Sequence, residues 1–168
     1  MTDSSMVVPV DGPIFQQVMA SFPAGVAVIT TLDREGKPRG LTTTALTSVS
    51  LDPPLLLVCV DLGSRTLPAL RHTRAFAVNV LDTRHAPLAR HFASKVEDKF
   101  AEHTWRDGSG GLPILDDHCV AWAECRTRRE VVAGDHLVVI GEVLDGAVEG
   151  DRASLIYFRR AFGGFAAF

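Results

Sequence analysis

Apolar and polar positions along this chain follow two periods. Over residues 11–23 the apolar residues Ile14, Phe15, Val18, Met19 and Phe22 recur every three to four positions, which is the spacing of one helical face. Asp11-Gly12-Pro13 supplies the start, with Pro13 in the first turn where its missing N–H costs nothing, and Pro23 ends the helix. Residues 25–32 and 39–50 then read as two strands joined by a polar turn, Asp33-Arg34-Glu35-Gly36-Lys37. Residues 55–60 read as a third strand, too apolar for either face to meet water. Residues 64–72 predict a short helix capped by Thr66, residues 76–81 a buried strand, and residues 87–93 another short helix with Leu88 and Phe92 four apart. Gly108, Gly110, Gly111 and Pro113 break any period across residues 105–117, which read as loop. Beyond them the small residues Ala123, Cys125 and Thr127 alternate with charged Glu124, Arg126 and Arg128, a strand with one face in and one out. Residues 136–148 and 153–159 supply the last strands.

Six or seven strands with short intervening helices do not form regular βαβ units, which argues against a doubly wound parallel sheet. A closed or nearly closed antiparallel barrel leaves fewer unpaired edges. With 168 residues the chain suits one domain over residues 11–168, behind a flexible tail over residues 1–10. A net charge of −3 lacks the basic excess that nucleic acid demands. There is no apolar run of membrane-spanning length and no signal-peptide pattern, so a cytoplasmic protein is expected. Cys59, Cys119 and Cys125, odd in number and without a CxxC pair, suggest neither a disulfide framework nor a zinc site, and Cys59 and Cys125 read as packing residues. His72, His85, His91, His103 and His118 do not fall at metal-ligand spacings, and no metal is expected. No GxGxxG fingerprint is present, so a nicotinamide would have to bind to the barrel surface.

The stretch over residues 40–60, GLTTTALTSVSLDPPLLLVCV, crowds Thr42, Thr43, Thr44, Thr47, Ser48 and Ser50 into one segment. Such residues serve strands and turns without any ligand. Their hydroxyls, beside backbone N–H groups, also suit an uncharged heterocycle with a phosphate tail. Order along the chain favours the second reading. Phe22-Pro23-Ala24-Gly25-Val26 is followed by Gly40-Leu41-Thr42, Thr47-Ser48-Val49-Ser50, Ser64-Arg65-Thr66, Phe92-Ala93, Asp98-Lys99-Phe100 and Gly134-Asp135-His136. Over residues 14–160 this series resembles the flavin reductase family, the NAD(P)H-dependent partners of two-component flavin monooxygenases.

The resemblance implies a mainly β fold, a split β-barrel of the Greek-key, FMN-binding type with short peripheral helices, and a homodimer with flavin near the interface. It implies FMN or FAD as the flavin, NADH or NADPH as hydride donor, and delivery of reduced flavin to a separate flavin-dependent monooxygenase. By the same resemblance Thr42, Thr43, Thr44, Ala45, Thr47, Ser48 and Ser50 lie along the flavin ring and ribityl chain, and Gly25 and Val26 let backbone approach the ring. Ser64 and Thr66 offer N–H groups to a phosphate, Lys99 and Phe100 flank the flavin tail, and His136 contacts the nicotinamide. One departure stands out: Thr44-Ala45-Leu46 replaces the Asn-Ser-Phe or Ser-Ser-Phe triplet common in similar proteins, and the missing hydroxyl is worth on the order of 1 kcal/mol. Two other readings stay open, a flavin-binding or storage module on the same barrel and a pyridoxamine-phosphate-oxidase-like oxidase.

Overall fold

The computed structural model describes residues 8–166, so most of the expected tail, residues 1–7, lies outside the described residues. The first helix, α1 (Gly12–Ala20), begins where Asp11 accepts the Ile14 N–H at 2.9 Å. Its apolar stripe is present but covered by nothing among the described residues. Ile14, Phe15, Val18, Met19 and Phe22 are 49–66% exposed.

The following elements are β1 (Ala24–Gly25), β2 (Ala27–Leu32), β3 (Pro38–Thr43), β4 (Leu46–Ser50), β5 (Leu55–Asp61), α2 (Leu67–Thr73), β6 (Ala75–Leu81) and α3 (Ala86–Ala93). A small hairpin, β7 (Arg106–Asp107) and β8 (Pro113–Ile114), precedes the long strands β9 (Cys119–Ala133) and β10 (His136–Val148). The short strands β11 (Ile156–Phe158) and β12 (Ala161–Gly163) follow, pairing with β1 in a separate three-stranded sheet.

The main sheet is antiparallel, in the order β3-β2-β6-β9-β10-β5-β4. Its outermost strands, β3 and β4, are joined by Thr44 and Ala45 alone, so the sheet curls until its two edges meet at that corner. The Ala45 carbonyl fastens the corner by accepting the Cys59 N–H at 3.0 Å. The expected strand over residues 39–50 is therefore two strands. Threonine-rich sequence suits either side of the break equally, and closure of the sheet decides where it falls.

Both faces of the central strands are buried, which explains their unbroken apolar runs. Ala27 and Ile29 pack with Val58, Phe76 and Leu137 in one core, while Val26 and Val28 pack with Leu88, Phe92 and Leu115 in another beneath α3. In β5 only Val58 and Val60 face the core fully. Leu57 and half-buried Cys59 face a cavity instead, so the reading of Cys59 as pure packing is corrected. Cys119 and Cys125 are core residues, and burial pushes both thiols up to about 12.

Two further corrections concern polar groups and a third the last strand. Thr66 does not cap α2 with its side chain, because its hydroxyl donates to the Gly40 carbonyl at 3.0 Å. Glu124 is not on an outward face. It is 3% exposed and accepts bonds from Ser109, Gly110 and Leu112, tying down the β7–β8 turn, so the segment over residues 105–117 is a fastened hairpin rather than a loop throughout. The last expected strand, residues 153–159, is shorter and shifted, as β11 and β12.

Candidate functional site

A cleft of about 1200 Å³ opens along the β3 edge, between that strand, the β5–α2 turn and the segment after α3. Gly40 sets its floor. A Cβ there would lie 2.8 Å from the Phe92 ring and 3.2 Å from the Ile29 carbonyl, so only glycine lets β3 pack this closely. The Gly40 carbonyl accepts both the Thr66 hydroxyl and the Lys99 ammonium, the latter at 3.2 Å, and so points away from β2. In an antiparallel ladder the next residue but one shares that direction. The N–H and C=O of Thr42 therefore also face the cleft, on an edge no strand covers.

Most of the residues picked out by sequence meet here. Thr42, Thr43, Thr44, Ala45, Ser64, Thr66, Lys99, Phe100 and His136 all line the cleft. Several of their polar groups are already engaged, however. The Thr42 hydroxyl donates to the Ala89 carbonyl at 2.7 Å, and the Thr43 hydroxyl accepts the Ala45 N–H at 3.0 Å. The Ser64 N–H donates to the Asp61 carbonyl and the Thr66 N–H to the Ser64 hydroxyl, so these two amides serve the turn before α2. Lys99 spans from β3 to the end of α3, donating to the Gly40 and Phe92 carbonyls, and burial together with the nearby Arg65 charge holds its ammonium below the usual lysine range. Phe100 is 5% exposed and packs edge-on against Phe92 at 5.0 Å, forming wall from behind.

His136 opens β10 opposite Asp61, after a tight turn in which Gly134 takes a φ of +61°. Its Nδ1 lies 2.8 Å from the Asp135 carboxylate, and that hydrogen bond lowers the Asp135 pKa. Asp135 thus orients the ring while its other nitrogen stays available at the cleft.

The remaining predicted residues lie elsewhere. Thr47 lines a second, apolar cavity of about 500 Å³ between α1, β4 and β5, which shares Thr44, Ala45 and Cys59 with the cleft. Ser48 and Ser50 sit on the outer edge strand β4, beside neither cavity. Val26 is fully buried, with its N–H bonded to the Leu155 carbonyl and its carbonyl to the Leu81 N–H, and Gly25 pairs with Ile156. Neither lines either cavity.

Sequence reasoning missed Arg65 and Lys95. The Arg65 guanidinium donates to the Lys95 carbonyl at 2.9 Å, and both cations line the cleft with Ser64 and Ser94. Arg65 was within reach, as the middle residue of Ser64-Arg65-Thr66; Lys95 has no local signal. Arg126 and Arg128, exposed on β9, both pair with Glu142 and line neither cavity. Among the described residues no group of three or more His, Cys, Asp or Glu side chains is arranged to hold a metal ion.

One cleft thus gathers a sheet edge, hydroxyl-bearing residues, the Arg65 and Lys95 cations and an oriented imidazole. Residues 19–166 match the model of the flavin reductase like domain, and the chain belongs to that family. It is 45% identical over 155 residues, 91% of this chain and 81% of the relative, to the flavin reductase (NADH) of Kitasatospora aureofaciens. It is also 45% identical over 146 residues, 86% of this chain and 85% of the relative, to the flavin reductase (NADPH) of Lentzea aerocolonigenes. Among solved structures, the Streptomyces globisporus NADH:FAD oxidoreductase superposes with a TM-score of 0.88 at 36% identity, covering 97% of this chain and 98% of the other. BorF, the flavin reductase component of a bacterial two-component tryptophan halogenase, superposes at 0.85 and 30% identity, over 94% and 100%.

Proposed function

We propose that this protein is an NAD(P)H-dependent flavin reductase that supplies reduced FMN or FAD to a separate flavin-dependent monooxygenase. The observation that carries this reading is the single cleft that gathers the Thr42–Ala45 corner, the Arg65 and Lys95 cations and His136. The fit to a flavin is chemical. The unpaired Thr42 N–H and C=O match the donor and acceptor edge of a neutral pyrimidine ring, Thr44 adds a hydroxyl, and Arg65 with Lys95 faces the phosphate end. When bound, the flavin supplies the ring that accepts hydride from the nicotinamide.

The residues themselves orient and exclude. Thr66 and Lys99 lock the Gly40 carbonyl and so hold the β3 edge at a fixed angle. Phe92 and Phe100 close the base of the cleft to water. His136, its Nδ1–H held by the Asp135 carboxylate, would present Nε2 to the nicotinamide carboxamide. No general acid–base pair is required, because the two cofactors carry the reaction. NADH is favoured over NADPH: of Arg126, Arg128 and Arg129, the arginine group that could clamp a 2′-phosphate, the first two are bound to Glu142.

In the same reading the curled seven-stranded sheet is a split β-barrel with Greek-key connections, residues 11–168 form one domain, and the protein is a cytoplasmic homodimer. No described helix is long and apolar enough to cross a membrane. The test is loss of nicotinamide absorbance with purified protein, NADH or NADPH, and FMN or FAD added separately. Rapid flavin-dependent loss is expected with at least one pair. No loss with any pair leaves a flavin-binding module as the better account.

A further inference from the structure

Four histidines that lie far apart in sequence meet behind the outer wall of the cleft. Asp82, 1% exposed, accepts Nδ1–H of His85 at 2.8 Å. Nε2 of His85 lies 3.1 Å from Nδ1 of His118, whose Nε2 is 3.5 Å from the Thr104 hydroxyl. The His103 ring stands edge-on to both His118 and His91, with centroids 6.2 and 4.8 Å away. His91 donates from Nε2 to the Lys99 carbonyl at 3.2 Å. The Nε2 of His103 is buried and has no hydrogen-bond partner.

This arrangement limits how many protons the cluster can hold. Asp82 takes the Nδ1–H of His85, so a neutral His85 presents a lone pair at Nε2, and His118 fills it with its own N–H. One extra proton can sit on either ring of that pair. A second would set two N–H groups against each other at 3.1 Å. A proton added to His103 meets no acceptor at Nε2. The surrounding charges do not change this. Arg84 is committed to Asp82, Arg106 to Asp116, and Arg152 to the Asp116, Asp117 and Cys119 carbonyls. Lys99 points its ammonium the other way, at the Gly40 and Phe92 carbonyls. Glu102 and Asp117 favour the charged rings, but burial and the mutual repulsion of the histidines outweigh them, holding His103 and His118 below the usual imidazole range.

The cluster bears directly on the cleft. The His103 ring packs on Phe92, its backbone N–H donates to the Phe100 carbonyl, and the His91 ring secures the Lys99 carbonyl. Between these two anchors run residues 94–100, which give the cleft Lys95, Lys99 and Phe100. We infer that His91 and His103, backed by His85 and His118, are positioning residues for the cleft: uncharged they hold residues 94–100 as its wall, and further protons on the cluster release that wall. The effect on ligand rests on the flavin reading above; the release itself does not.

The sign follows from linkage. Free histidines titrate near 6.5, and His103 and His118 do so lower when packed, so the released form binds more protons as pH falls below that value. Release is then favoured by about tenfold per pH unit for each such proton. The test uses the full-length protein at about pH 7.5 and about pH 5, a range in which histidine is the side chain that ordinarily changes charge. Amide hydrogen exchange of residues 94–104, corrected for intrinsic rate, is compared with that of β9, and FMN and FAD affinities are measured in parallel. Protection of residues 94–104 should fall at least tenfold at the lower pH while β9 is unchanged, with flavin dissociation constants rising in step. His103→Phe keeps a ring but cannot take a proton, and should flatten both responses. His91→Gln keeps a donor for the Lys99 carbonyl and is the second variant if the first does not fold. Exchange that ignores pH, or is equally pH-dependent in both variants, overturns the release. Exchange that responds while flavin affinity stays level overturns the positioning role; absence of flavin binding at every pH instead refutes the flavin reading and leaves the exchange result standing.

Discussion

Gly40 and His136 carry the two residue-scale arguments. Gly40 is packed under Phe92 with less room than one methyl group needs, so Gly40→Ala forces the ring or the β3 backbone to move. We expect a loss of about 1–3 kcal/mol in stability, read from the midpoint of denaturant unfolding. Weaker flavin binding should accompany it, since the same carbonyl anchors Thr66 and Lys99. His136→Ala removes one oriented imidazole at the cleft rim and nothing from the core. It should raise the KM for the nicotinamide about tenfold and leave the flavin dissociation constant unchanged, by analogy with a hydrogen bond worth about 1.5 kcal/mol. Steady-state kinetics identical to wild type would remove His136 from the site. His136 was marked by the resemblance that Gly134-Asp135-His136 helps carry, and it lies at the cleft. Lys95 was not marked, because its place at the cleft depends on where the segment after α3 comes to rest.

At the scale of elements, polar side chains decide how strands and turns are joined. Asp82 ends β6 and binds the Arg84 N–H and side chain together with His85. Burial by itself raises its carboxyl pKa, but those partners prevail and bring it down to about 2. A carboxylate that titrates lower in the folded state stabilises above its unfolded value near 3.8, and that stability is lost as pH falls toward about 2. The contribution is on the order of 2 kcal/mol. Urea unfolding at about pH 3 and about pH 5 should therefore show a smaller gap between wild type and Asp82→Asn at the lower pH. A gap independent of pH would mean that Asp82 acts through packing alone. Asn79 works in the same way without charge, donating to the Val28 carbonyl and accepting the Leu115 N–H, which seats the segment after β8 against β6.

For the whole molecule, the exposed stripe on α1 has no partner among the described residues. A helix whose apolar face lies in water gains little from folding against nothing. In a homodimer that stripe would be covered, and the second cavity beside it, bounded by Phe15, Met19 and Tyr157, would be closed. Light scattering after size exclusion should give twice the mass of one chain. Val18→Asp combined with Phe22→Asp should shift it toward one. A monomeric wild type at micromolar concentration would refute the homodimer.

Local chemistry was written in the sequence. The helical stripe of α1, its Asp11 cap, the buried runs of β2 and β6, and the glycine-led turn before His136 follow from spacing and side-chain shape over a few neighbouring residues. So did the series of motifs that mark the family. Tertiary structure alone decided which of those residues meet. It broke the threonine-rich stretch at Thr44 and Ala45, because a curled sheet must turn a corner where its edges join. It buried Val26, turned Glu124 inward onto a hairpin, spent the Thr42 and Thr66 hydroxyls on carbonyls, and collected four scattered histidines behind one wall. Each of these depends on contacts between residues distant along the chain, and no local pattern encodes the distance at which they close.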